Sequence, residues 1–218
     1  MRRRQEERGT THCRTPTRIG LNATTYCDIG GATGRAVFEM ERTLPALQRL
    51  VLVEPSTLFC EWAERLLASG AELPPVPVVD RSGAQKLVAV VTRPPPIANA
   101  HERLSIVNES LEDYHPQGRF DLVTCLNVLD RHPFPRLLAE ELPRLMSDRG
   151  LLVVSCPFDF REESTPDKEQ WVGDLNEIFT NDQWEHVGAD ELFYEYRASN
   201  RQWTRLCAQV VGKRCTGL

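Results

Sequence analysis

Short apolar runs bounded by glycine, proline and polar residues recur along this chain, and between them lie stretches with apolar residues three and four apart. Residues 24–29 read as a short first strand and 35–42 as a helix halted near Pro45. Residues 50–54 form a second apolar run. Ser56 can cap a helix over 57–69 that closes at Gly70, with Leu58, Trp62, Leu66 and Leu67 on one face. Residues 74–79 and 86–91 flank the turn Arg81-Ser82-Gly83 as an inserted β-hairpin, and Pro94-Pro95-Pro96 is a stiff connector. Residues 105–107 resume the main sheet, 120–126 form a buried fourth strand, 135–146 a helix with Leu137, Leu138, Leu142 and Leu145 inward, and 150–156 a fifth strand. A polar loop over 158–173 precedes a short helix at 175–179, and 191–196 with 203–212 read as a closing antiparallel pair. The pattern predicts one α/β domain over residues 23–218, doubly wound, with seven strands and an insertion near 71–103. Residues 1–22 show no apolar periodicity and are expected to be a basic, disordered segment.

The chemistry concentrates where the first strand meets the first helix. Asp28-Ile29-Gly30-Gly31-Ala32-Thr33-Gly34 places a glycine turn there. Gly30 and Gly34 let the backbone turn sharply and approach a ligand that a Cβ would push away. Glu54, at the end of the second apolar run, stands where a doubly wound fold sets an acid against ribose hydroxyls. Such a turn and acid suit a nicotinamide dinucleotide or S-adenosylmethionine (SAM). The spacing lacks the third glycine of the dinucleotide fingerprint, and Asp28 can receive the cationic end of an amino acid, so SAM is favoured over an NAD-dependent oxidoreductase. The segment resembles the first motif of class I SAM-dependent methyltransferases, with Ala32 in the place of the middle glycine. That resemblance implies a Rossmann-like, seven-stranded sheet, SAM as cofactor and S-adenosylhomocysteine as product, with Asp28, Gly30, Gly34 and Glu54 binding the cofactor.

In open α/β sheets, ligands lie beyond the carboxyl ends of the strands. The fourth strand ends in Cys125-Leu126-Asn127-Val128-Leu129-Asp130-Arg131, so Asn127 and Asp130 are the catalytic candidates, three apart and sharing a face if the chain turns helically. Asp130 can take the acceptor's proton, or else pair with Arg131 or cap the next helix. No Asn-Pro-Pro-Tyr type motif stands here, which weighs against exocyclic amines of bases. Asn127-Val128-Leu129-Asp130-Arg131, with the segments 150–158 and 162–166 ahead of Trp171 and Gly173, is similar to the mercaptohistidine N-methyltransferase domain of ovothiol synthases. A related likeness is to the DREV-type protein-histidine methyltransferases. Both imply transfer to an imidazole nitrogen, of a small histidine-derived molecule such as a thiohistidine or of a protein histidine. A catalytically inactive SAM-binding regulatory subunit is the alternative from another class.

The resemblance carries further residues. Asn127 also borders the cofactor, and Leu111 lies against the adenine, although Ser110 replaces the usual acid there. Arg201, beside Trp203, can hold a substrate carboxylate or be a surface arginine. Trp171 can close over the substrate or anchor its loop. Class I methyltransferases carry helices before the first strand that cover SAM. The 22 polar residues here have no such pattern, so the pocket is expected to be open or completed by a partner chain or homodimer.

Composition narrows the partners. The 218 residues carry a net charge of −5, although the first 20 hold six arginines against two glutamates. A small-molecule substrate is therefore expected rather than nucleic acid. No apolar run is long enough for a membrane. Seven cysteines and five histidines are scattered without metal-ligand spacing, which predicts no metal site and reduced thiols in a cytoplasmic protein.

Overall fold

The computed structural model describes residues 21–71, 76–79, 85–88, 95–180, 183–199 and 202–216. Its main sheet contains β1 (Thr25–Ile29), β2 (Arg49–Val53), β5 (Leu104–Val107), β6 (Phe120–Leu126), β7 (Met146–Cys156), β8 (Trp184–Ser199) and β9 (Gln202–Cys215), in the order β5-β2-β1-β6-β7-β9-β8. The first five are parallel, and β9 runs antiparallel to both of its neighbours, β7 and β8. β3 (Val76–Val79) and β4 (Gln85–Val88) form a separate antiparallel pair, the expected inserted hairpin.

Alternation along each strand sends side chains to two faces. Cys27, Val51, Val123, Leu152 and Val211 point into one core, which is closed by Leu138, Leu142 and Leu145. These three come from α4 (Pro135–Glu141) and the 3₁₀ turn Leu142–Leu145 that continues it. The expected single helix over 135–146 stops early because Pro143 has no N–H to continue the α ladder. Leu137, expected inward, is exposed.

The other face carries Tyr26, Leu50, Leu52, Leu122 and Leu151, packed on Val37 and Phe38 of α1 (Arg35–Thr43) and Ala63 of α2 (Thr57–Ala63). Ser56 Oγ accepts from the Phe59 N–H at 3.4 Å, as its capping role requires. The helix does not run regularly to residue 69. It loosens into a π turn over Glu64–Ala68 that swings Leu67 inward, and Gly70 follows at φ +60°. Cys60, Ala63 and Leu67 form the buried face, whereas Leu58 is 60% exposed. Beyond β1 this side changes character. Leu126, Val153, Ala189 and Val210 line a cavity of about 470 Å³ rather than packing under a helix.

The terminal strands are much longer than their apolar cores, and loop 174–179 is pinned across β9. Gln209 accepts from the Leu175 N–H at 2.7 Å and donates to Asp174 at 2.9 Å, while the buried Lys213 donates to Asn176 at 3.1 Å. No helix among the described residues is long and apolar enough to cross a membrane.

At the opposite end of the sheet from the glycine turn, Asp121 fastens β1 to β6. Its carboxylate accepts from Thr24 N at 2.8 Å, Thr24 Oγ1 at 2.9 Å, Thr25 N at 3.1 Å and Ser147 Oγ at 3.1 Å. Burial opposes its ionisation, but these donors outweigh it and hold its pKa below the usual range. A depressed carboxyl contributes stability above its unfolded pKa and loses it as pH falls through the folded one. Asp121→Ala should therefore cost about 2 kcal/mol in urea unfolding at pH 7, and the gap to the parent should narrow below about pH 4.

Candidate functional site

The glycine turn sits where β1 ends between β2 and β6. Gly30 is left-handed at φ +66°, and its N–H donates to Val53 O at 2.8 Å, locking the turn to the end of β2. Gly34, at φ +85°, starts α1 without a side-chain cap. The N–H groups of that first turn are therefore left for a ligand.

The glycines divide the work differently from the sequence expectation. A Cβ on Gly30 would lie 2.5 Å from Val128 Cγ2, and one on Gly34 would lie 2.3 Å from Leu67 Cδ1. Both positions are small because neighbouring protein packs there. Gly31 is the position that guards a polar group: a Cβ would stand 2.6 Å from Asp28 Oδ2. Sequence reasoning passed over it because fingerprint spacing counts the outer glycines.

Asp28 is buried at 2% exposure. Its Oδ1 accepts from Thr124 Oγ1 at 2.6 Å, and that hydroxyl is 2.6 Å from Tyr26 Oη. Oδ2 has no hydrogen-bond partner among the described residues. Burial pushes the Asp28 carboxyl up to about 7, with a further push from Glu54, against the lowering effect of Thr124 and Tyr26. Oδ2 keeps its lone pairs for a donor.

Glu54 stands at the end of β2, in line with this turn. Its Oε2 accepts from the Ala32 N–H at 2.9 Å and its Oε1 from the Ser56 N–H at 2.9 Å. Both oxygens are fixed and keep lone pairs for two hydroxyls. Asn108, after β5, donates to Glu54 O at 3.0 Å and Pro55 O at 2.9 Å, which holds the adjoining loop. Leu111 is less open than expected. Its side chain is buried in the core with Tyr114, and its carbonyl accepts from Arg144. Ser110, in the place of the usual acid, donates to Asp113 at 2.9 Å.

At the end of β6 the two catalytic candidates part. Asn127 is left-handed at φ +58°, with its N–H on Ser155 O at 2.8 Å and its Oδ1 accepting from Ser155 Oγ at 2.9 Å. It lines the apolar cavity, next to Leu126 and Ser155. Asp130 does not join it. At 1% exposure it is enclosed, and Arg131 Nη1 lies 3.0 Å from its Oδ2, an ionic contact out of line for a hydrogen bond. Arg131 also grips Asp159 Oδ2 at 2.7 Å. Burial, only partly offset by Arg131, raises the Asp130 pKa. Of the roles open to Asp130, this geometry matches the pairing with Arg131. The positive φ at Asn127 breaks the helical path, and the 3₁₀ turn Leu129–Arg131 starts two residues later.

Trp171 anchors its loop. The indole stacks on Phe160, with centroids 5.8 Å apart, and donates to Thr165 O at 3.0 Å, while Thr165 Oγ1 donates to His132 O at 2.7 Å. Arg201 lies outside the described residues. The described residues hold no cluster of metal-ligating side chains.

This sheet order, with a glycine turn and an acid at adjoining strand ends, is that of a class I SAM-dependent methyltransferase fold. A family model described as a methyltransferase domain matches residues 4–203, and the chain belongs to that family. N-methyltransferase NodS from Bradyrhizobium japonicum WM9 is similar at a TM-score of 0.54 and 12% identity, covering 91% of this chain and 89% of that one. A putative methyltransferase from Bacillus halodurans C-125 gives 0.57 and 10%, covering 90% and 94%. The plantazolicin methyltransferase BpumL, solved with S-adenosylhomocysteine, gives 0.53 and 10%, covering 89% and 77%. At such identities the likeness is one of fold. No curated protein matches the sequence. The cofactor of this class is SAM, and the residues present fit it: an uncapped helix start after the glycine turn, a buried carboxylate oxygen with no partner among the described residues, and a fixed acid with free lone pairs.

Asp28 also generates a stability test. Its folded pKa of about 7 lies above the unfolded value, so the fold is favoured at low pH and loses that contribution as pH rises from about 4 to about 7. Relative to the parent, Asp28→Asn should gain a few kcal/mol of stability between pH 4 and pH 8. Paired denaturant titrations of the ligand-free proteins measure the difference.

Proposed function

We propose that this chain transfers the methyl group of SAM to a neutral imidazole-type nitrogen of a small histidine-derived molecule. The observation that carries the proposal is Asn127, fixed by Ser155 at the carboxyl end of β6 and facing the cavity, while Asp130 is withdrawn into an ion pair. The delivery point thus offers a hydrogen-bond acceptor but no base. That suits a nucleophile with a free lone pair at neutral pH, because imidazole attacks without prior deprotonation.

Bound SAM supplies an electrophilic methyl on a sulfonium. Glu54 would hold the ribose hydroxyls, and Asp28 would receive the α-ammonium through Oδ2 beneath Gly31. Asn127 Oδ1 has a second lone pair beside the Ser155 hydroxyl, and would accept the ring N–H remote from the attacking nitrogen. That contact fixes the tautomer and strengthens as the imidazolium develops. The apolar walls of Leu126 and Val153 keep water from competing at the methyl. The Asn127-Val128-Leu129-Asp130-Arg131 resemblance supports the same acceptor class, with its asparagine facing the cavity and its Asp-Arg half bracing the loop through Asp159.

A second reading, a SAM-binding subunit completed by another chain, is favoured by the apolar half of the sheet that no described helix covers. Calorimetric titration with SAM and S-adenosylhomocysteine decides first. Micromolar binding by the purified chain, lost in Glu54→Ala, is expected. Absence of binding, regained beside a partner, would favour the subunit. A methyl-transfer screen should then find thiohistidine or histidine compounds as acceptors. Preference for a His-x-His peptide would shift the acceptor to protein histidine. Asn127→Ala should lower kcat about a hundredfold while leaving SAM affinity nearly unchanged.

A further inference from the structure

Two hydroxyls stand among the leucines of the sheet face that carries Asp28. Tyr26 and Thr124 are 0% and 1% exposed, and a buried hydroxyl is costly unless its hydrogen bonds are made. Here they are made in one line, Tyr26 Oη to Thr124 Oγ1 at 2.6 Å and Thr124 Oγ1 to Asp28 Oδ1 at 2.6 Å. The parallel register of β1 and β6 sets Asp28 opposite Thr124, and the two-residue period brings Tyr26 to the same face.

The hydrogens of this line count in one direction. With Asp28 ionised, Thr124 gives its single hydrogen to the carboxylate and its oxygen accepts from Tyr26, so every donor is used. With Asp28 neutral, the extra hydrogen sits on Oδ2, which has no partner among the described residues, or reverses the chain. The arrangement also turns Oδ2, and not Oδ1, toward Gly31.

Building on the SAM reading above, we infer that Thr124, backed by Tyr26, is a positioning residue that holds Asp28 turned and ionised to receive the α-ammonium of the cofactor. Thr124 would act through Asp28 and need not touch the ligand. The charged and titratable groups facing Asp28 are few. Glu54 approaches from β2 and Tyr26 from β1, while Cys27 of β1 and Cys125 of β6 act from the opposite face of the sheet. Burial drives the phenol and both thiols above their ordinary ranges, so they stay neutral while Asp28 titrates. Cofactor capture then releases a proton at acid pH and becomes independent of pH above about 7.

The test is calorimetric titration of the full chain with S-adenosylhomocysteine from about pH 5.5 to about pH 8.5. Affinity of the parent should fall about tenfold per pH unit below 7. Thr124→Val should move that midpoint up by about one unit, costing about tenfold at pH 7 and less at pH 8.5. Tyr26→Phe should shift it the same way but less, and Thr124→Ser should restore the parent profile. 5′-Methylthioadenosine, which lacks the amino acid end, should bind the parent and Thr124→Val alike. Equal weakening at every pH, an unmoved midpoint, or loss of 5′-methylthioadenosine binding in Thr124→Val would overturn the relay. Asp28→Asn separates the two levels. If it leaves S-adenosylhomocysteine affinity intact, the ammonium site itself is wrong. If it abolishes binding while Thr124→Val matches the parent, only the relay is wrong.

Discussion

Burial of the Asp28 carboxylate is the constraint around which this end of the fold is arranged. A carboxylate at 2% exposure is expensive to ionise, and Glu54 adds like charge to the same region. Neighbouring features bear on that cost. Thr124, backed by Tyr26, donates to one oxygen, Gly31 lets the chain pass close to the other, and Asp121 fastens the far end of β1 to β6. If Asp28 receives the cofactor's ammonium, as proposed, then stability of the ligand-free protein and cofactor recognition draw on the same atoms.

The two faces of the sheet serve opposite ends. One is closed by α4 and its 3₁₀ extension, with Lys213 and its loop network beside it. The other is closed only where α1 and α2 pass, over β1 and β2. From β6 to β8 it opens into the cavity that Asn127 overlooks. A parallel sheet needs both faces covered. The exposed half is therefore where substrate, or a covering chain, would add most to the apolar surface removed from water.

Most of the architecture was legible because parallel strands write themselves as apolar runs, and residues 120–126 matched β6 end to end. The inserted hairpin, the Ser56 cap and the Glu54 position followed from local chemistry alone. What was misread depended on contacts distant in sequence. Helix 135–146 looked continuous because periodicity cannot weigh the missing N–H of Pro143. β8 and β9 looked short because their outer residues are polar and alternate weakly. Gly34 looked like a ligand-facing glycine because Leu67, 33 residues on, was not known to lie against it. Thr124 was invisible for the same reason: its role exists only once β6 is set beside β1 in register.

The fate of Asn127 and Asp130 shows how one dihedral angle decides chemistry. Spacing of three suggests a shared face, and would give an acid beside the acceptor. At φ +58° Asn127 instead turns the chain before the 3₁₀ turn begins, which sends its amide toward Ser155 and Asp130 toward Arg131. Arg131 spans to Asp159, so the ion pair braces the loop that Trp171 and Thr165 hold at its other end. An acid so enclosed cannot exchange protons with a substrate during turnover without breaking that brace. On the proposed function, chemistry at this site would then come from alignment and from a neutral hydrogen-bond acceptor, a limit that selects among nucleophiles before any contact with the acceptor's body is made.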